Sequence, residues 1–357
     1  MNAATRWGLG GVLGTALFLS LSPIFTRSYL PNAIHRGRVT LPPGHLYRWR
    51  SEGYADTAIG PYGMPGRTAV TAPRDQTDDC TRVALWGDSQ TEGVAVPDRD
   101  KLFAAMMRAS AGRLDVYPLA ISGDALGDWI AGMRWAERTL AIDRHAILIC
   151  QTDDLLDLSP PPPPTPGRLG GLTARLPAAV VQAARHALTN PNGSPRRWRF
   201  AVGPPAPTPT LISRPRRPEL DESLAKLRGA SNLPIDLIYA PLAPQIIQGR
   251  IQTLAPDAAL AAQAQRSARK HHLGWIDTTA ALAHQFQTGP APHGFHNGHP
   301  ASGHLNRHGY RAIAQTYAAP KITPTPPVER ALLPVVPTDT APSPIASADN
   351  PIMPSPK

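Results

Sequence analysis

From Thr81 to Ala318, short apolar runs alternate with stretches of helical periodicity, and few folds accommodate that order. The apolar runs are Val83 to Trp86, Leu114 to Ala120, Ala146 to Cys150, Ile235 to Ala240 and Leu273 to Ile276. Between and after them the spacing predicts helices near Leu102 to Ala111, Asp124 to Ala141, Ala258 to His271, Thr278 to Gln287 and Arg307 to Ala318. Strands separated by helices must return over a face of the sheet, so the expected fold class is α/β: a three-layer, doubly wound parallel sheet.

Proline interrupts this order. Of 42 prolines, many fall in 159–218, opening with "SPPPPPTP", and in 320–357. Proline has no N–H for a sheet ladder, so 159–218 reads as an insertion over the active edge, with one short helix at Leu176 to Leu188. The segment 320–357 is too polar and proline-rich for a core and is expected to be a disordered tail. Residues 29–78 show neither period and read as an extended lead-in, which leaves 79–319 as the α/β domain. The first 28 residues place Arg6 before "WGLGGVLGTALFLSLSPIF", close to the roughly 20 apolar residues that span a bilayer. No Ala-x-Ala site follows. The segment reads as a signal anchor or a signal peptide, with the rest of the chain at the inner membrane facing the periplasm, or secreted.

Thirty-six Lys+Arg against 26 Asp+Glu give a formal charge of +10, but no basic stripe interleaved with aromatics accompanies it, which argues against nucleic acid as a partner. Two cysteines, Cys80 and Cys150, make no disulfide framework; a single bridge stays open. No cofactor is implied. His293, His296 and His299 recur at intervals of three, but the glycine-rich loop around them has no Asp, Glu or Cys, and no metal is expected there.

Ligands of an open α/β sheet bind beyond the carboxyl ends of its strands, and the first strand ends in "GDSQTEG". Ser89 there opens a helix; alone it reads as a turn or cap more readily than as a nucleophile, because serine needs a base. A base of suitable pKa stands before the last helix, in "GHLNRHGYRAIA", as His304. With "GDSQTEG" and "GHLN" together the chain resembles the SGNH or GDSL hydrolases, esterases and acyltransferases of flavodoxin-like fold. The resemblance implies Ser89 as nucleophile, His304 as base, and the N–H groups of Ser89 and Gly123 as an oxyanion hole. It also places Asp153, in "LICQTDDL", where the family has an asparagine donor, and Ala301 where many members have the aspartate that orients the histidine. A carboxylate cannot donate to an oxyanion unless protonated. Asp277, ending "LGWID", is the substitute for the missing aspartate, with a helix cap as its other reading. Asn297 or His299 is expected near the substrate.

The function so implied is an extracytoplasmic serine esterase acting on O-acylated glycans, lipids or small molecules, bound to the membrane by its N-terminal segment. An O-acyltransferase of the same chemistry, and a catalytically weak carbohydrate- or partner-binding relative, are the alternatives.

Overall fold

A computed structural model describes residues 2–70, 80–160, 176–188 and 219–319. Most of the proline-rich insertion and the whole of the expected tail lie outside the described residues.

Helix α1 (Ala3–Phe25) comes first, followed by two short hairpins, β1 (Ala33–His35) with β2 (Arg38–Thr40) and β3 (Leu46–Trp49) with β4 (Ala55–Ala58). The α/β alternation then begins with β5 (Thr81–Trp86), the single turn α2 (Ser89–Glu92), α3 (Leu102–Ala109), β6 (Leu114–Pro118), α4 (Leu126–Leu140) and β7 (Arg144–Ile149). After α5 (Ala178–Leu188) come α6 (Leu220–Ala230), β8 (Ile235–Tyr239), the hairpin β9 (Gln245–Ile247) and β10 (Arg250–Gln252), α7 (Ala258–Lys270), β11 (Gly274–Asp277), α8 (Thr279–Thr288) and α9 (Arg307–Ala318). Strands β11, β8, β7, β5 and β6 form, in that order, a five-stranded parallel sheet. This is the doubly wound α/β arrangement that the alternation predicts.

Both faces of the sheet are covered, so its strands are apolar throughout yet still sort by period two. On β5, Ala84 and Trp86 join a core with Trp129, Met133 and Leu224, while Val83 and Leu85 join one with Met106, Ile313 and Tyr317. All of these are at most 2% exposed, and burying side chains of this size contributes about 1.5–3 kcal/mol apiece. The next strand in sequence, β6, lies on one side of β5, and β7 on the other. The connections diverge at the carboxyl end of β5, which is where such sheets bind ligands.

The lead-in differs from its expected form. Strands of three or four residues are too short to show a period, and turns with left-handed residues, Arg36 and Gly37, close the first hairpin. The second hairpin is fastened to the end of α1: Arg50 Nε donates to Ile24 O at 3.0 Å, the Tyr54 hydroxyl donates to the same carbonyl, and Ser28 N–H donates to Arg48 O at 2.9 Å. Among the described residues α1 alone has the length and composition to cross a membrane. Cys80 and Cys150 are free thiols.

Candidate active site

Ser89 opens α2 directly after the strand exit. Gly87 makes that exit feasible: its φ is +150°, and a Cβ there would strike Thr91 Oγ1 and lie 2.7 Å from Thr91 Cβ and 3.2 Å from Leu148 O. The Asp88 carboxylate caps the turn by accepting from Gln90 N–H at 2.9 Å, and burial raises its pKa above the ordinary range.

His304 reaches this turn from the loop before α9. Its Nε2 lies 3.1 Å from Ser89 Oγ, within hydrogen-bond reach. Gln90, the residue after the serine, holds the two segments together. Its side-chain oxygen accepts from Leu305 N–H at 2.8 Å, and its backbone carbonyl accepts from the Tyr310 hydroxyl at 2.5 Å. The spacing of Ser89 and His304 is thus fixed by the residue next to each.

The carboxylate behind the imidazole is Glu52, not Asp277. Glu52 sits in the loop joining β3 to β4; its Oε2 lies 2.6 Å from His304 Nδ1, and its Oε1 accepts from His304 N–H at 2.9 Å. Burial opposes ionisation of Glu52, but the hydrogen bonds from His304 outweigh it and hold the carboxyl below its ordinary value. The hydrogen bond to Glu52 in turn raises the His304 pKa against the opposing effect of burial. Gly303 allows this close approach: its φ is +91°, and a Cβ there would strike Glu52 Oε1. Asp277 instead caps α8, accepting from Thr279 N–H at 2.8 Å, which was its second reading. Ala301 carries no carboxylate, and the acid arrives from 252 residues away in sequence.

Asn297 does not face a substrate. It clamps the Glu52 loop, donating from Nδ2 to Ser51 O and Gly53 O at 2.9 Å each and accepting from Gly53 N–H at 3.0 Å. His293 is buried, and burial lowers its pKa to about 4, whereas His296 and His299 are exposed. Among the described residues no group of three or more His, Cys, Asp or Glu is placed to hold a metal ion.

Ser89 and His304 open into a cleft of about 490 Å³ whose other walls include Ser122, Glu92, Trp49 and Arg27. Gly123 follows Ser122 in the turn after β6, at φ +84°, exposed. The Ser122 N–H binds the Glu92 carboxyl, whose pKa burial raises to about 7 against the attraction of Lys101. Asp153 is exposed and lines a different cleft, with Cys150, Leu242 and Asp257; it is not among the residues around Ser89 and His304. Its neighbour Asp154 feels the Asp88 charge, and burial, the larger cause, helps raise its pKa to about 7.

Sequence reasoning missed Glu52 because nothing local marks it. Its loop has no period, and only the glycines and Asn297 of the histidine loop, which fold around it, carry a trace of its place.

No family model matches the chain, and no curated protein matches it in sequence. Solved structures do. A carbohydrate acetylesterase from Sinorhizobium meliloti is 12% identical, with 68% of this chain and 98% of that one covered, at a TM-score of 0.38. A catalytic mutant of an acetylxylan esterase from Geobacillus stearothermophilus is 15% identical over 68% of this chain and 95% of that one, TM-score 0.35. A structure from Desulfitobacterium hafniense, titled as a lipolytic protein of the G-D-S-L family, is 12% identical over 67% and 98%, TM-score 0.33.

Proposed function

We propose that this chain is a serine ester hydrolase of the SGNH/GDSL type, held at a membrane by α1 and working outside the cytoplasm on O-acylated glycans, lipids or small esters. The observation that carries the reading is the continuous hydrogen-bonded line Ser89 Oγ, His304 Nε2, His304 Nδ1, Glu52 Oε2, with links of 3.1 and 2.6 Å at either side of the ring.

In this reading Ser89 Oγ attacks the ester carbonyl as His304 Nε2 takes its proton. The C–O bond to the alcohol then breaks, and the imidazolium returns the proton to the leaving oxygen. Water repeats the sequence on the acyl-enzyme and releases the acid. Glu52 keeps the proton of neutral His304 on Nδ1, which leaves Nε2 free to accept, and stabilises the imidazolium once it forms. Neither the Ser89 N–H nor the Gly123 N–H has a hydrogen-bond partner among the described residues, and both are assigned to the developing oxyanion.

The test is hydrolysis of p-nitrophenyl acetate by the full chain in detergent, beside Ser89→Ala and His304→Ala. Loss in both variants, and fluorophosphonate labelling that disappears in Ser89→Ala, are expected. Equal rates in all three proteins would remove the proposal.

A further inference from the structure

Arg27 stands two residues beyond α1 and lines the same cleft as Ser89 and His304. Its guanidinium lies over the rings of Tyr29 and Trp49, 5.2 and 5.4 Å from their centroids. These faces hold the cation in place but take none of its five N–H donors, which point from the edge of the guanidinium plane. Nε is enclosed without a hydrogen-bond partner. Among the described residues no carboxylate is paired with the charge either. Glu52 is engaged by His304, and Glu92, on the same cleft, has Lys101, Arg36, Asp124 and Asp88 as charged neighbours.

A strut would need its donors satisfied within the protein, and the packing of Arg27 leaves its Nη groups to whatever enters the cleft. Neutral acceptors would quench the donors but not the charge. A planar fork with its paired Nη groups open matches a carboxylate or a phosphate. We infer that Arg27 is the specificity-determining residue for an anionic group, carboxylate or phosphate, carried by the ester substrate close to the scissile bond. This rests on the esterase reading of the same site and adds to it the charge of the substrate.

Matched ester pairs test it on the full chain in detergent. On the alcohol side, 4-acetoxybenzoate is compared with its neutral methyl ester; on the acyl side, 4-nitrophenyl hydrogen succinate is compared with 4-nitrophenyl butyrate. A third arm, 4-acetoxyphenyl phosphate, distinguishes phosphate from carboxylate. A hydrogen-bonded ion pair predicts a kcat/KM ratio favouring the anion by about ten- to a hundredfold in at least one pair, collapsing in Arg27→Gln and restored only in part in Arg27→Lys, which keeps the charge but not the fork. A ratio that Arg27→Gln leaves unchanged in every pair overturns the inference. Ligand-observed NMR on the Ser89→Ala protein reads the same preference without turnover. Binding of the anion that Arg27→Gln removes supports the inference even where no ester is cleaved, an outcome that would sink the esterase reading alone. Equal binding of anion and neutral ester overturns the inference.

Discussion

Replacing Glu52 by glutamine tests the triad at its least expected member. The carboxylate accepts twice, from the imidazole Nδ1 at 2.6 Å and from the His304 backbone N–H at 2.9 Å. An amide has one acceptor and one donor end. With its oxygen toward the backbone, its NH2 faces Nδ1 and forces the ring proton onto Nε2, which can then no longer accept from Ser89 at 3.1 Å. With its oxygen toward the ring, two N–H groups oppose each other, at about 1–3 kcal/mol for the unmet donor. The first arrangement is the cheaper, and it is the one that stops proton transfer. A fall in kcat of about 10²- to 10⁴-fold follows from losing a positioned general base. Stability should drop less, by about 1 kcal/mol, because His304 is 39% exposed and solvent screens the pair. The assay is kcat/KM against pH. The base works only when neutral, so activity falls as pH drops through the His304 pKa. Glu52 raises that pKa, and its loss must move the acid limb to lower pH. A Glu52→Gln enzyme within twofold of the parent, with an unmoved limb, would refute the reasoning.

Asp277→Ala provides the contrasting case: it removes a helix cap, so Tm should fall by the equivalent of about 1 kcal/mol while kcat/KM stays at the parental value. Gly87→Ala places a Cβ against Thr91 at a left-handed φ, so thermal melting should show a loss of about 3 kcal/mol and ester cleavage should vanish with the strand exit. Gln90→Ala leaves the Leu305 N–H buried and unmet, which predicts about 1–3 kcal/mol of destabilisation by urea titration and a lower kcat as Ser89 and His304 drift apart. Glu92 has its pKa raised to about 7, so the folded state binds its proton more tightly than the unfolded chain. Its contribution to stability therefore weakens as pH rises from 4.5 through 7, and Glu92→Gln should flatten that part of the stability profile.

What could be read from the sequence follows from where each signal resides. The five sheet strands and most of their helices announce themselves by period, because burial on both faces demands it. Ser89 and His304 sit at the ends of such elements and are found with them. The three short hairpins carry too few residues for a period to form, and the helical spacing of α6 lies directly against the proline-rich stretch. Glu52 belongs to one of those hairpins. Its role comes from a tertiary contact and from no neighbour in the chain, so Asp277, marked by its place at a strand end, was the more visible carboxylate and the wrong one for the imidazole. Asp153 shows the same limit at smaller scale, since which way a side chain leaves a turn is decided by backbone dihedrals that a motif does not encode.

The fastening of Glu52 to His304 also bears on how the protein comes into being. The three groups of the line lie at positions 52, 89 and 304, so the contact that completes it closes a loop of 252 residues. Closing so long a loop is a late event in folding, and on the ribosome it must wait for the last helix to emerge. Until then Ser89 stands in the nascent chain without the imidazole that completes the line. The line is whole only when the two ends of the domain meet.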